Sequence, residues 1–275
     1  MTGGWDWRDR TTCAHASVSG CGYSVSGSFA VNPESSTRWE HYTMPLLLLA
    51  GYGPGNSHAI ATSFGARGWS IALVGRNEER LRAGVDHLAT DDIEAHAFVG
   101  DLSDPDSVRA TAAAVRLQLG PVTALAFTAY QPLEVADVLT DSPTQIERVF
   151  AIGVTGLAAL VQATLDDLRS SSDSAVLVVN GGFGLSDEAI DRFAVSFGGD
   201  GVALEAAAKS KLVGLLAERL RDDRIYVGEI VITGSVKGSP YAGPNAIDPA
   251  DIAERLWTMF QERATVRTFI SERAE

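Results

Sequence analysis

Cysteine is scarce in this sequence. The two that are present, Cys13 and Cys21, stand close together near the N-terminus. Their spacing fits no zinc or redox motif, and no further cysteine is available to complete one. The five histidines show no metal-ligand spacing either. We therefore expect a reduced, cytoplasmic protein that has neither structural disulfides nor a metal site.

Basic residues and long apolar runs are also in short supply. The 22 Lys and Arg residues face 35 Asp and Glu residues, giving a formal net charge of −13. Such a surface repels nucleic-acid phosphates and anionic lipids, so neither is an expected partner. The apolar run MPLLLLAG at 44–51 is much shorter than the roughly 18 residues of a membrane span. It also lacks the basic flank of a signal peptide. It predicts a buried β-strand, and no membrane association.

The first 43 residues differ from the rest of the chain. They are rich in Ser, Thr and Gly and show no sustained period of 2 or 3.6 residues. Such a composition buries too little apolar area to offset the entropy of ordering. We expect 1–43 to be a flexible extension and 44–275 to be one domain. Because Met44 directly precedes the first predicted strand, one hypothesis is that the natural chain starts there.

From residue 45 onward, short apolar runs alternate with helical patterns. Such alternation predicts right-handed βαβ units, and the nearly continuous apolar runs indicate strands buried on both faces. The expected fold is a doubly wound parallel α/β sheet with helices on both faces. The strands are predicted at Leu46–Ala50, Ile71–Val74, Ala95–Val99, Ala124–Phe127, Val176–Val179, Tyr226–Ile232 and near Val266–Ile270. The helices are predicted near 56–67, 77–88, 105–118, 143–169, 201–221 and 248–262.

A glycine-rich loop, AGYGPGNS, joins the first strand to the first helix. Gly51, Gly53 and Gly55 allow a sharp turn and a close approach of the backbone to a ligand. A diphosphate can then bind the amide groups at the helix N-terminus. The position of the loop, after the first strand and before a helix, favours a dinucleotide site over a turn that binds nothing.

These features resemble the short-chain dehydrogenase/reductase family, whose single Rossmann-type domain binds NAD(H) or NADP(H). The family motif T-G-x-x-x-G-x-G falls on residues 50–57, with Gly51 and Gly55 matching two of its glycines. Asn56 follows in the motif, and Ser57 replaces the third glycine, where its hydroxyl is able to bind phosphate. The resemblance implies the strand order 3-2-1-4-5-6-7. It also implies a homodimer or homotetramer formed through the helices at 143–169 and 201–221.

The cofactor preference is predicted from the ends of the second and third strands. The second strand is followed by Arg76 where NAD-dependent relatives carry an acidic residue. A guanidinium suits a 2′-phosphate, so NADP(H) is expected, with NAD possible. The alternative is an ordinary surface arginine. Asp101 and Leu102, after the third strand, resemble the adenine-contacting pair of the family, although an Asp before a helix is also a common N-cap.

At its catalytic positions the chain departs from the family. The family sequence N-N-A-G falls on Phe127-Thr128-Ala129-Tyr130, and the helix Asn falls on Gly153. The catalytic Ser falls at or beside Asn180, and Y-x-x-x-K falls on Glu205 and Lys209. The Pro-Gly after the sixth strand becomes Thr233-Gly234. By resemblance, Thr128, Ala129, Lys209 and Gly234 join the cofactor site. The predicted catalytic residues are Lys209, Glu205, Asn180 and Tyr130.

A carboxylate does not simply replace a phenol. The reference pKa is about 10 for Tyr and about 4.3 for Glu, so Glu205 usually has no proton to donate at neutral pH. Glu205 is better suited to act as a general base. Tyr130 is either a substitute phenol or a packing aromatic. Two alternatives remain open: Glu205 and Lys209 form a solvated helix-surface pair, or the register shifts by two and Lys211 takes the lysine position.

The function expected from these observations is that of an NADP(H)-dependent oxidoreductase. It would act on a small organic carbonyl or alcohol with a non-standard active site. The alternatives are a non-redox enzyme on the same fold, such as an isomerase, dehydratase or cyclase, and a non-catalytic nucleotide-binding protein.

Overall fold

The computed structural model describes residues 44–130 and 134–272, so the predicted extension at 1–43 lies outside the described residues. The described residues form a seven-stranded parallel sheet in the order β3-β2-β1-β4-β5-β6-β7, as predicted. The strands are β1 (Leu46–Ala50), β2 (Ser70–Gly75), β3 (Ala95–Val99), β4 (Ala124–Phe127), β5 (Ala175–Gly181), β6 (Tyr226–Thr233) and β7 (Arg267–Ser271).

Helices connect the strands, and three of them begin with the same local signal. Asp104, Ser142 and Asp248 each accept a hydrogen bond from an amide in the first helical turn, and a proline follows each of them. Both features favour a helix start. The helices are α1 (Asn56–Gly65), α2 (Glu78–Ala89), α3 (Pro105–Leu119), α4 (Pro143–Arg148), α5 (Leu157–Ser170), α6 (Glu188–Phe197), α7 (Asp200–Arg219) and α8 (Pro249–Glu262).

The sheet lies between two apolar layers, and β1 contributes to both. All five residues of β1 are buried. Leu46 and Leu48 pack in the layer that contains residues of α3, α5 and α7, whereas Leu47 and Leu49 pack in the layer with α1, α2 and α8. Because successive side chains of a strand point to opposite faces, a central strand covered by helices on both sides must be apolar throughout.

The helix predicted at 143–169 is interrupted. A π-helical turn, Ala151–Gly156, separates α4 from α5. A side chain at Gly156 would place its Cβ atom 2.2 Å from the Leu102 carbonyl oxygen, so this segment can lie against the end of β3 only without one. By length and composition, Pro143–Ser170 is apolar enough to cross a membrane. Its buried residues, including Leu157, Leu160 and Leu168, belong to the core layer, as expected of a core helix.

Helix α6 was not predicted from the sequence. It begins at the N-cap residue Asp187, whose side chain accepts hydrogen bonds from the amides of Ala189 and Ile190. It ends at Gly198, whose φ of 65° is favourable for glycine. Only Ala194 of this helix is buried, so the helix lies on the surface beside the cleft described below.

Candidate active site

The glycine loop turns sharply at Gly51. This residue has a φ of 90°, and a Cβ atom here would lie 2.6 Å from the Ala129 backbone. The amide groups of Gly51 and Tyr52 both donate hydrogen bonds to the Val74 carbonyl, at 2.9 and 3.0 Å. Glycine is therefore required at this position, since the loop crosses the end of β1 and packs directly on the chain that leaves β4.

Ser57 makes two hydrogen bonds within the glycine loop. Its hydroxyl accepts a hydrogen bond from the Gly53 amide at 2.7 Å and donates one to the Gly53 carbonyl at 2.8 Å. The single hydroxyl hydrogen is thus used within the loop. The serine thus closes a tight local ring where the family has glycine, and its predicted hydrogen bond to phosphate stays a prediction.

The N-terminus of α1 is open. Its N-cap residue is Gly55, no side chain among the described residues caps it, and its first turn contains no acidic residue. A Cβ atom added at Gly55 would meet no atom of residues 44–130 or 134–272 within 4 Å. Next to it, the buried Oδ1 atom of Asn56 has no hydrogen-bond partner among the described residues. Free amide groups at the positive end of a helix stabilise a bound anion.

A cleft of about 730 Å³ lies at the carboxyl ends of β4, β5 and β6. It brings together several residues that were singled out from the sequence, among them Asn56, Thr128, Tyr130, Asn180, Glu205, Lys209 and Gly234. Ligands of open α/β sheets bind at this edge, where the direction of strand connections reverses. The cleft therefore lies where the fold places a ligand.

Glu205 and Lys209 form a buried pair inside this cleft. Their exposed fractions are 1% and 2%, and the Lys209 Nζ atom lies 3.6 Å from the Glu205 Oε1 atom. Lys209 also donates a hydrogen bond to the Ala129 carbonyl at 3.1 Å. Lys211, by contrast, is exposed. Both alternatives left open by the sequence, a solvated surface pair and a register shifted to Lys211, are therefore excluded.

Burial and charge act in opposite directions on Lys209. Burial lowers the pKa of the Lys209 ammonium, whereas the carboxylates of Glu205 and Glu229 raise it. The net shift is downward because desolvation is the largest cause. The lysine is thus held in an environment where its protonation depends on the carboxylate beside it.

The Glu205 carboxylate occupies space that a side chain at Gly153 would fill. A Cβ atom at Gly153 would lie 1.8 Å from the Glu205 Oε1 atom and 2.7 Å from its carboxyl carbon. Gly153 belongs to the π-helical turn between α4 and α5, a feature frequent at functional sites. It is also the position onto which the family Asn maps. Glycine at 153 and glutamate at 205 are therefore sterically linked.

Asn180 takes part in a buried network. Its Nδ2 atom donates hydrogen bonds to the Ala206 carbonyl at 2.9 Å and to Glu229 Oε1 at 2.8 Å. Glu229, which is fully buried, also accepts hydrogen bonds from Ser210 and Arg267. Both amide hydrogens of Asn180 are directed at protein acceptors, so the side chain ties β5 to α7. A catalytic role for Asn180 stays a prediction and gains no support from this geometry. Glu229 was missed from the sequence because it is a single carboxylate in a strand.

Two phenols are accessible in the cleft. Tyr130, which was predicted, is 61% exposed, and Tyr241, which was not, is 60% exposed. Tyr241 lies in the connection between β6 and α8, and its ring contacts Phe197 of α6 at 4.9 Å. Phe183 and Phe193 complete this side of the cleft. No local pattern in the sequence marks Phe183 and Tyr241 as neighbours of the two phenylalanines on α6.

The remaining predicted cofactor residues lie near the ends of the other strands. Arg76 is exposed after β2. Asp101, after β3, accepts hydrogen bonds from Ser103, which lower the pKa of its carboxyl; Arg76 contributes to the same shift. The side chain of Leu102 is buried in the core. Thr128 donates to the Ala50 and Gly51 carbonyls and thereby fixes the chain after β4. At Gly234 a Cβ atom would lie 2.5 Å from Glu272.

The fold and this edge of the sheet define a dinucleotide-binding type of α/β protein, and comparison with known proteins specifies the family. The profile of the short chain dehydrogenase family matches residues 46–190, more than half of the chain. The chain therefore belongs to the short-chain dehydrogenase/reductase family. A short chain dehydrogenase of Pseudocercospora fijiensis is 26% identical over 136 residues, which are 48% of this chain and 43% of that protein. The match thus spans less than half of that relative.

Solved structures share the same fold at low identity. A metagenomic short-chain oxidoreductase in complex with NADP is 20% identical, with a TM-score of 0.71 over 84% of this chain and 98% of that one. An NADPH-bound short chain oxidoreductase from Pseudomonas aeruginosa PAO1, described as containing an atypical catalytic center, is 19% identical, with a TM-score of 0.72 over 84% and 96%. A 3-ketoacyl-ACP reductase from Sinorhizobium meliloti 1021 is 19% identical, with a TM-score of 0.73 over 83% and 98%.

Proposed function

We propose that this protein is an NADP(H)-dependent oxidoreductase that acts on a small organic carbonyl or alcohol through a non-standard active site. The observation that carries the proposal is the open N-terminus of α1 beside the cleft that holds Lys209. Within the part of the chain that the structure describes, Gly55 leaves empty space there, no acidic side chain occupies the first turn, and no group bonds the Asn56 Oδ1 atom. These features fit the diphosphate of a dinucleotide.

The other parts of the cofactor would bind along the same edge of the sheet. Arg76, exposed after β2, is available to the 2′-phosphate of NADP(H), and no acidic residue immediately follows that strand. Asp101 would contact the adenine, as in the family. The resemblance assigns Lys209 to the nicotinamide ribose. When bound, the nicotinamide supplies or accepts the hydride.

The active site is non-standard because its glutamate performs a different task from the family tyrosine. The Glu205 carboxylate lies in the space left by Gly153 and 3.6 Å from Lys209. In that position the carboxylate orients Lys209 and favours its protonated form, from the side where the family carries an asparagine. A carboxylate held against an ammonium is a poor proton donor at neutral pH. Glu205 is therefore a positioning residue in this proposal.

A phenol then supplies the proton that a reduced carbonyl oxygen needs. Tyr130 and Tyr241 are the phenols that line the described part of the cleft, and both are accessible to a ligand there. Tyr130 directly follows Ala129, whose carbonyl binds Lys209, so we assign the donor role to Tyr130 and keep Tyr241 as its alternative.

Calorimetric titration of the full chain with NADP⁺, NADPH and NAD⁺ tests the proposal. We expect micromolar or tighter binding of the phosphorylated nucleotides. No detectable binding of any of the three would overturn it. Turnover is then followed by nicotinamide absorbance, with Tyr130→Phe and Tyr241→Phe as a matched pair, and only the variant that lacks the donor should lose activity. Substrate conversion without an absorbance change would indicate a non-redox enzyme, and binding without any conversion would indicate a nucleotide-binding protein.

A further inference from the structure

One side of the cleft is formed by four aromatic side chains, Phe183, Phe193, Phe197 and Tyr241, which we call the aromatic wall. The ring of Phe183 makes edge contacts with the rings of Phe193 and Phe197, with centroid distances of 5.4 and 5.7 Å. The rings of Phe197 and Tyr241 make a similar contact, with a centroid distance of 4.9 Å. Phe193 and Tyr241 remain 53% and 60% exposed. Clustered aromatic surface left open to a cleft indicates a binding surface rather than a packed core.

Helix α6 positions half of the wall. Phe193 and Phe197 are four residues apart, so they lie on one face of the helix, with their rings stacked at 6.0 Å. The helix is fixed at Asp187 by capping and at Gly198 by a left-handed residue. Val195, on the same helix, is 67% exposed but does not line the cleft. The two phenylalanines therefore face the cleft. Val195, an exposed apolar residue of the same helix, is a suitable control position for substitutions at Phe193.

The charged side chains that line the described part of the cleft already contact protein groups. Lys209 is held by Ala129 and Glu205. Glu272 accepts hydrogen bonds from the Ser235 amide and hydroxyl, at 2.7 and 2.6 Å. Lys209 is the one cation among the described lining residues. A charged substrate would lose its hydration there without gaining a free partner of opposite charge.

We infer that the substrate is a neutral molecule with an aromatic or conjugated ring attached to the reacting carbonyl or alcohol. The ring would pack against the aromatic wall through edge and offset contacts, and the polar group would point toward Tyr130 and Lys209. This inference rests on the proposed function and adds the class of substrate to it. Phe193 becomes a residue that determines specificity.

Ligand-observed NMR titrations of the full chain, with and without saturating NADP⁺, provide the test. The probes are acetophenone, its saturated analogue cyclohexyl methyl ketone, and the charged analogue benzoylformate. We expect acetophenone to bind about three- to tenfold more tightly than the saturated ketone, and benzoylformate to bind most weakly. Phe193→Leu, which retains apolar volume but removes the ring, should abolish this preference, whereas Val195→Leu should preserve it.

The outcomes separate this inference from the proposed function. Equal affinities for the two neutral ketones, tighter binding of benzoylformate, or an unchanged preference in Phe193→Leu would overturn the aromatic substrate class while nucleotide binding stands. A ring preference in a protein that binds no nucleotide would overturn the proposed function instead and leave the aromatic wall as a binding surface. Thermal unfolding of Phe193→Leu, expected to match the parent closely, confirms that the variant is folded.

Discussion

The steric link between Gly153 and Glu205 makes a sharp prediction about stability. In the parent protein, Gly153→Ala would place a Cβ atom 1.8 Å from the Glu205 Oε1 atom. The carboxylate must then move away from its site beside Lys209. Overpacking of this kind costs about 1–3 kcal/mol. In a protein that also carries Glu205→Ala, the clashing atoms are gone, and replacing a helical glycine by alanine should stabilise by roughly 0.5–1 kcal/mol.

The two effects predict a coupling free energy of roughly 1.5–4 kcal/mol between residues 153 and 205. The electrostatic attraction between Glu205 and Lys209 determines how much Glu205→Ala alone destabilises the protein. At a separation of 3.6 Å, the attraction between unit charges is about 5 kcal/mol at an effective dielectric constant of about 20. Breaking a buried pair by removing one partner costs about 3–5 kcal/mol. Glu205→Ala should therefore be strongly destabilising, and Gly153→Ala should partly restore it.

Urea unfolding of the two single variants, the double variant and the parent measures this coupling. Gly214→Ala is the matched control, because Gly214 lies on α7 like Glu205 and a Cβ atom there meets none of the described residues within 4 Å. It should have the same small effect whether residue 205 is Glu or Ala. If the Gly153→Ala and Glu205→Ala effects add within about 0.5 kcal/mol, the carboxylate does not occupy the space at Gly153, and its role as a positioning residue is refuted.

Three further predictions address the cofactor, the buried network and pH. Arg76→Ala should weaken NADPH binding by about ten- to hundredfold, since a hydrogen bond to a charged group contributes about 1.5–3 kcal/mol. The affinity for NADH should stay nearly unchanged. Equal losses of affinity for both nucleotides, or an equal loss in the control Arg80→Ala, would contradict the 2′-phosphate role. Glu229→Gln should lower the free energy of unfolding by about 1.5–3 kcal/mol, because the charged hydrogen bond between Glu229 and Arg267 is lost. A urea midpoint equal to that of the parent would argue against the buried network around Glu229. Burial lowers the pKa of His58 below its usual 6.5. Its contribution to stability should therefore be present above about pH 6.5 and disappear as the pH falls through the folded-state pKa. His58→Gln should reduce the loss of stability at acid pH in thermal unfolding scans, and an identical pH profile would exclude His58 as its source.

The sheet and the glycine loop were accessible from the sequence because their signals are local. Parallel strands covered on both faces must be apolar at nearly every position, and this gives the runs that marked β1 and β4. Helix starts were marked by capping residues followed by proline. The π-helical turn and α6 were missed. The first depends on how close Gly156 comes to β3, and the second lies at the surface with only Ala194 buried.

Several expectations stay predictions. The flexible character of 1–43 and the homodimer or homotetramer are among them, as are the cytoplasmic location and the roles assigned to individual site residues.

The sequence by itself determined the order of the strands, most of the helices, the family and the place of the cleft, because each depends on patterns within a few residues. The tertiary structure alone decided where the Glu205 carboxylate lies and which side chains line the cleft. A Glu four residues before a Lys has the same spacing on a solvated helix as in a buried site. The burial of Glu205 and its contact with Gly153, about fifty residues away in the chain, show that the carboxylate is held inside. The aromatic wall likewise combines α6 with Phe183 and Tyr241, and their proximity is created by folding.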